Sequence, residues 1–303
     1  MREKNGFDVI IVGGSYAGLS AAMALGRSLR DVLIIDSGLP CNRQTPHSHN
    51  FITQDGETPA AIAAKAKAQV LKYDTVRFTR GVAVSGRKLE NGFAIVLESG
   101  EEYRCAKLIF ASGIKDEMPG IKGFADCWGI SVVHCPYCHG YEYRGQKTAI
   151  LANGDRAFHL ASLVSNLTGD ITILTSGKAP DFTPAQTVKL ETHNIAVIHT
   201  QVIEIVHEKG VVKAVAFNNG SHIDFDAVYA AIPFTQHSSI PAWLGCELTE
   251  QGHLKADAMQ KTTVDGVFAC GDCTTPMRSV ASSVATGNLA GAAVNMTLTQ
   301  ERF

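Results

Sequence analysis

The sequence predicts an α/β protein assembled from two βαβ units. Residues 7–36 read as strand, glycine-rich turn, helix and strand, and a related pattern returns at residues 148–174, its turn 139 residues beyond the first. Capacity agrees with this plan. The 303 residues suit two domains at roughly 150 residues each. With 45% apolar and 18% charged residues the chain can bury two cores.

The elements follow in order. Residues 7–12 are an apolar run broken only by Asp8, as a buried parallel strand requires. Residues 13–18 turn the chain, after which Leu19, Ala22, Met23 and Gly26 place small or apolar groups on one helical face. Residues 32–35 form a second buried strand that ends at Asp36. Alternation around Asn91 and Gly92 marks a hairpin within residues 82–96, and residues 107–110 form another strand. In the second unit residues 148–151 run into a turn, a helix-like stretch to about Leu167, and a strand at residues 171–174. Near the end a strand at residues 266–270 meets Gly271 and Asp272, and residues 280–298 read as a helix rich in Ala, Ser and Gly.

Composition excludes several classes of function. Lys plus Arg number 27 and Asp plus Glu 29, for a formal net charge of -2, which leaves no electrostatic footprint for nucleic acid or an anionic membrane. No apolar run approaches the roughly 18 residues of a bilayer span. The eight cysteines are too sparse for a small secreted scaffold, and residues 1–4 lead directly into a strand too short for a signal core. A soluble protein in a reducing, cytoplasmic setting is therefore expected.

Two motifs carry chemistry. A dinucleotide turn needs glycine for the tight bend, a small residue where the backbone approaches a pyrophosphate, and a third small residue for close helix packing. Gly13, Ser15 and Gly18 fill these places, and the helix beginning near Ala17 aims its N–H groups at the phosphates. Asp36, 23 residues after Gly13, stands where an acid takes a ribose hydroxyl. The second motif is Cys135-Pro136-Tyr137-Cys138, whose spacing puts two sulfurs within bridging distance at a helix start that lowers a thiol pKa. His134 and His139 flank it, and either can carry a proton.

Zinc is disfavoured because the other Cys-x-x-Cys, Cys270 to Cys273, lies 132 residues beyond Cys138, far outside the roughly 12–20 residues of structural sites. That second pair reads as structural, with Cys270 continuing a buried strand and Gly271-Asp272 placing a carboxylate toward a ligand. A glutaredoxin-like module is set aside because the motif lies in mid-chain. The polar loop at residues 41–56 carries His47 and His49, read as surface histidines, and no metal ligand set is expected.

On these residues the chain resembles the low-molecular-weight thioredoxin reductases, class II pyridine nucleotide-disulphide oxidoreductases, over nearly its whole length. The carrying residues are the turn from Gly13 through Gly14, Ser15, Tyr16 and Ala17 to Gly18; Asp36; Ala111, Ser112 and Gly113; Cys135 and Cys138; residues 266–272; and Arg278 to Ala281. The resemblance implies two Rossmann-like domains, an FAD domain of residues 1–116 and 245–303 interrupted by a nicotinamide-type domain of residues 117–244 that carries the cysteine pair. It implies FAD binding by Gly13, Gly14, Ser15, Ala17, Gly18, Asp36, Ser112, Gly113, Gly271, Asp272, Ser279 and Val280. Asp272 would meet the ribityl-phosphate portion, and the helix at Ser279-Val280 would stabilise negative charge on reduced flavin. Cys138 would be the sulfur next to the flavin and Cys135 the one that exchanges with substrate. His139 takes the place of the family's Asp as acid–base residue. Met118-Pro119-Gly120 and Ile240-Pro241 are candidate hinges.

The largest departure lies in the inserted domain. Its turn reads Ala152-Asn153-Gly154-Asp155-Arg156-Ala157, without the first glycine, and Thr175-Ser176-Gly177-Lys178 lacks the arginines that hold a 2′-phosphate. Use of NADPH, NADH or neither is thus open. The stretch from Cys135 to Glu142 is also similar to the flavin-dependent dithiol oxidases of the gliotoxin and holomycin type. The expected function is an FAD-dependent disulfide oxidoreductase of thioredoxin-reductase type, with an oxygen-using dithiol oxidase and a flavin-binding redox sensor of little turnover as alternatives. The resemblance points to a thioredoxin-like protein or a small-molecule dithiol or disulfide as partner, and to a homodimer. Direction of electron flow is not specified by the sequence.

Overall fold

The computed structural model describes residues 6–303. The reading of residues 1–4 lies outside the described residues. The chain divides into two compact units, one taking the residues to Arg43, Asn50–Lys115 and Phe234–Phe303, the other Gln44–His49 and Asp116–Pro233.

The first unit is built on a seven-stranded sheet. Its order is Val76–Arg80, Val32–Asp36, Gly6–Val12, Glu102–Phe110, Gly92–Leu97 and Ala83–Leu89, with Val267–Ala269 added against Glu102–Phe110. Glu102–Phe110 therefore serves two partners on one side. Its first half pairs antiparallel with Gly92–Leu97 and its last residues pair parallel with Val267–Ala269. The continuous apolar runs of the sequence resolve into two faces. Val9, Ile11, Val32 and Ile34 point to a core shared with Leu19, Leu25 and Val294, whereas Ile10, Val12, Leu33 and Ile35 join Phe93, Ile95 and Phe110. Both faces are covered, as a parallel sheet demands.

Helix Tyr16–Arg27 and the terminal helix Val280–Arg302 pack together on the first of these faces. Small residues permit the approach: a Cβ on Gly287 would overlap the Ala17 carbonyl. Ser20 Oγ donates to the Val284 carbonyl at 2.7 Å between the two helices, and Arg30, just past the first helix, donates from Nε to Asn295 Oδ1 at 2.7 Å.

The second unit has a five-stranded parallel sheet, ordered Ala196–Ile198, Ile171–Leu174, Thr148–Leu151, Ala227–Ala230 and Val132–Val133. Ile150, Ile173 and Tyr229 face helix Gly154–Val164. Ala149, Leu174 and Val228 face the antiparallel sheet Val202–Glu208, Val211–Phe217 and His222–Asp224. Ile114–Asp116 and Phe234–Gln236 pair in a two-stranded ribbon.

Two stretches fall on the other side of the expected boundaries. The return to the first unit comes at Phe234 rather than residue 245, because Ile240 in the short helix Ile240–Trp243 is buried in the core beside Ile95 and Leu97. Ile240 is accordingly part of the first unit's core. Gln44–His49, placed by sequence in the first domain, belongs to the second unit, where Gln44 Nε2 donates to the Ala125 carbonyl and Thr45 lies against Gly129.

Candidate active site

The first unit gathers most of the expected cofactor residues at the carboxyl ends of its parallel strands. Gly13 follows the first strand at φ +107°, and its N–H donates to the Ile35 carbonyl at 2.8 Å. A Cβ there would collide with the Ala111 carbonyl, so glycine is what lets the 111–113 turn close over the first turn. Gly18 lies against the Gly13 carbonyl in the same way, and Gly271 at φ +79° approaches the Ala17 side chain. These contacts bring Gly13, Ala17, Gly18, the residues beside Ser112, and Gly271 together.

Asp36 ties the turn to the second strand. Its Oδ2 accepts the Gly14 N–H at 2.6 Å and its Oδ1 the Gly38 N–H at 2.7 Å. Two oxygens offer about four acceptor positions, so the carboxylate is fixed and still able to accept from a ligand. Asp272 is held separately: Ser283 Oγ donates to its Oδ1 at 3.4 Å and Arg278 Nε lies 3.7 Å from its Oδ2. Ser279 caps the terminal helix by accepting the Ser282 N–H at 3.0 Å, and Val280 opens that helix half-buried. No sequence pattern assigns Arg278 a partner, and its pairing with Asp272 is seen only in the structure.

In the second unit Cys135 and Cys138 form a disulfide with Cα atoms 5.3 Å apart. It lies just past the end of strand Val132–Val133. Pro136 opens a helix of only four residues, Pro136–His139, so the dipole that the sequence reading invoked is small. A local contact holds the turn: the Cys138 N–H points at Cys135 Sγ at 3.2 Å. Gly140 seats the turn, since a Cβ there would strike the Pro136 carbonyl and Leu167.

The flanking histidines differ. His134 stacks on Trp128, ring centroids 5.9 Å apart. His139 is half-buried, and burial pushes its pKa below 6.5, with Glu142 opposing and His49 adding to the shift. His49 Nε2 lies 3.6 Å from Glu142 Oε1, so the loop histidine is drawn to a carboxylate three residues past His139. Sequence pattern offered no signal for that meeting, because it joins residues 93 positions apart. Among the described residues no cluster of metal-ligating side chains forms.

Cys270 and Cys273 are fully buried thiols. Burial pushes Cys273 up to about 12 and Cys270 well above its ordinary range, so neither is a thiolate at neutral pH.

The model of the family described as pyridine nucleotide-disulphide oxidoreductase matches residues 7–288. The chain belongs to this family. It is an FAD-dependent oxidoreductase acting on disulfides. It is 32% identical to thioredoxin reductase tcpT of Claviceps purpurea over 96% of this chain and 94% of that protein. It is 33% identical to thioredoxin reductase aclD of Aspergillus oryzae over 95% of each. The solved structure of an oxidoreductase from Agrobacterium tumefaciens, 35% identical, superposes with a TM-score of 0.90 over 97% of this chain and 99% of that one.

The residues of the first unit fit FAD. Ser15 at the head of helix Tyr16–Arg27 makes no side-chain cap, leaving the helix N–H groups to an anion, whereas Thr58, Thr183 and Ser279 cap the helices they precede. Ser112 Oγ is buried without a hydrogen-bond partner among the described residues, as a group reserved for a ligand would be. No helix of the described residues is long and apolar enough to cross a membrane.

Proposed function

We propose that this oxidoreductase passes electron pairs between bound FAD and an external thiol–disulfide couple through Cys135 and Cys138, with Cys135 as the exchanging sulfur. The observation that carries the reading is the disulfide itself, with the Cys138 N–H on Cys135 Sγ. The pyrophosphate would lie at Gly13, Gly14, Ser15, Ala17 and Gly18, with Asp36 toward a ribose. Ser112, Gly113, Gly271, Asp272, Ser279 and Val280 complete the proposed site.

The exchange is a pair of thiolate attacks. A substrate thiolate attacks Cys135 Sγ, the Cys135–Cys138 bond breaks, and Cys138 leaves with the electron pair and takes a proton. The second substrate thiol, deprotonated, attacks the substrate sulfur of the mixed disulfide and releases Cys135 as thiolate. The substrate ends as a disulfide and the protein as a dithiol. His139, its pKa lowered by burial and so neutral at pH 7, is suited to accept the substrate proton. Bound FAD supplies a two-electron carrier for the pair, and with oxygen as terminal acceptor the sum is dithiol plus O2 giving disulfide plus H2O2.

Run from FAD toward an external disulfide, the same steps make a reductase of thioredoxin-reductase type. The oxidase direction gains support from the turn at residues 152–157, where Asn153 hydrogen-bonds across to the 179–181 segment. Anaerobic mixing with a dithiol, with NADPH and with NADH, followed at the oxidised-flavin absorbance, separates the directions. Bleaching by the dithiol, with recovery and peroxide in air, is the expected result. Bleaching by a nicotinamide alone would restore the reductase direction, and bleaching by none would leave a redox sensor.

A further inference from the structure

We propose that the nucleotide-binding end of the second unit is closed by the chain's own residues, so that the flavin-loaded enzyme takes no NAD(P)H there and its reducing equivalents enter as thiols. The closure stands on its own geometry; only its consequence for electron entry rests on reading Cys135–Cys138 as the redox pair.

In a dinucleotide turn the second glycine leaves its side-chain position empty so that a pyrophosphate can come up to the backbone and the helix N–H groups. That residue here is Gly154, at φ +59°. Asp181 borders that space and leaves room for no more than a methyl, its carbonyl oxygen and carboxylate Oδ2 lying 3.2 and 3.5 Å from where a Cβ of Gly154 would be. Asn153 fixes this arrangement with three hydrogen bonds. Its Oδ1 accepts the Gly154 N–H at 2.9 Å and the Asp181 N–H at 3.0 Å, and its Nδ2 donates to the Ala179 carbonyl at 2.8 Å.

The covering segment is anchored beyond Asp181 as well. Asp155 Oδ1, in the first turn of helix Gly154–Val164, accepts from Gln186 Nε2 at 2.7 Å. Gln186 is in turn half of the capping box with Thr183 that starts helix Pro184–Thr192. Two carboxylates thus stand at a helix end whose positive pole would otherwise favour phosphate. A pyrophosphate would have to displace one and sit against the other. Between strand Ile171–Leu174 and Asp181 the only basic side chain is Lys178, which offers one cation where a dinucleotide 2′-phosphate would want several.

The test is calorimetric titration of NADPH and of NADH into the flavin-loaded enzyme and into the double variant Asn153→Gly/Asp181→Ala. The native enzyme should bind neither nucleotide more tightly than about 1 mM, and the opened variant should gain at least about 10-fold in affinity. Micromolar binding by the native enzyme would overturn the closure. No gain in the double variant would also overturn it, as would a gain that Asp181→Ala alone fails to begin. Flavin content and dithiol-driven bleaching are followed in the same samples and should be unchanged in both variants. Loss of dithiol-driven bleaching from the native enzyme would sink the redox assignment and leave the nucleotide result intact.

Discussion

The turn that follows Val12 and the turn that follows Leu151 leave parallel strands and open helices of 12 and 11 residues, yet their helix ends are used in opposite ways. At the first, Ser15 makes no cap, and the acid of the next strand, Asp36, accepts from Gly14 and Gly38 while staying beside the turn. At the second, Asn153 bonds to Gly154 and to the 179–181 segment, and Asp181 covers the glycine. Both turns contain a glycine with positive φ. The difference teaches that such a turn is available to a ligand only when no other part of the chain reaches it first.

Four substitutions or measurements would break or sharpen this contrast. The largest effect is expected at the pair proposed to carry the exchange, which lies apart in sequence from the open turn. Cys138→Ser should slow dithiol-driven flavin bleaching by about 10³-fold or more in anaerobic stopped flow while flavin stays bound. Release of flavin from this variant would show that binding and exchange are not divided as proposed. Next comes Gly13→Ala, which combines a φ of +107° with a clash against the Ala111 carbonyl. A loss of about 3 kcal/mol in thermal unfolding and of most bound flavin is expected. A fully flavinated variant of unchanged melting would remove the open turn from the cofactor site.

His139→Asn should slow dithiol-driven bleaching by about 10- to 100-fold. The sign of the native pH dependence follows from burial. His139 titrates below 6.5, so the neutral base is present above that range and is lost as the pH falls through the lowered pKa. The acid limb of the rate profile should lie below pH 6.5 and vanish in the variant; a limb that survives the substitution belongs to another group. The smallest effect is expected at Gly154→Ala. Asp181 lies at ordinary or slightly tight distance from the new methyl, so the cost is that of a left-handed residue, about 1 kcal/mol, with flavin content and dithiol turnover unchanged. A drop in flavin content would contradict the division of labour between the turns.

Much of the architecture was legible in sequence because it is written in local periodicity. The run at residues 7–12 lies within strand Gly6–Val12, the Asn91-Gly92 signal is a hairpin between Ala83–Leu89 and Gly92–Leu97, and the small-residue helix begins at Val280. The helix start at Cys135 was legible too, with Pro136 at its first position, but its length was not. Proline favours a start, but Gly140 must pack on Leu167 and the chain must reach strand Thr148–Leu151, so the helix ends at His139. The Arg278–Asp272 pair, the His49–Glu142 contact and the Asp181 cover were not legible. Each depends on side chains brought together from different elements.

By itself the sequence determined where strands, turns and helices form, because apolar spacing, glycine and proline act through neighbours a few residues away. It also placed the two sulfurs close enough to bridge, since two intervening residues hold them together wherever the segment lies. Only the tertiary structure decided which glycine turn stays open. Whether a helix end meets solvent or the chain's own carboxylate is set by a loop 27 residues further on, and local propensity carries no information about where that loop will come to rest.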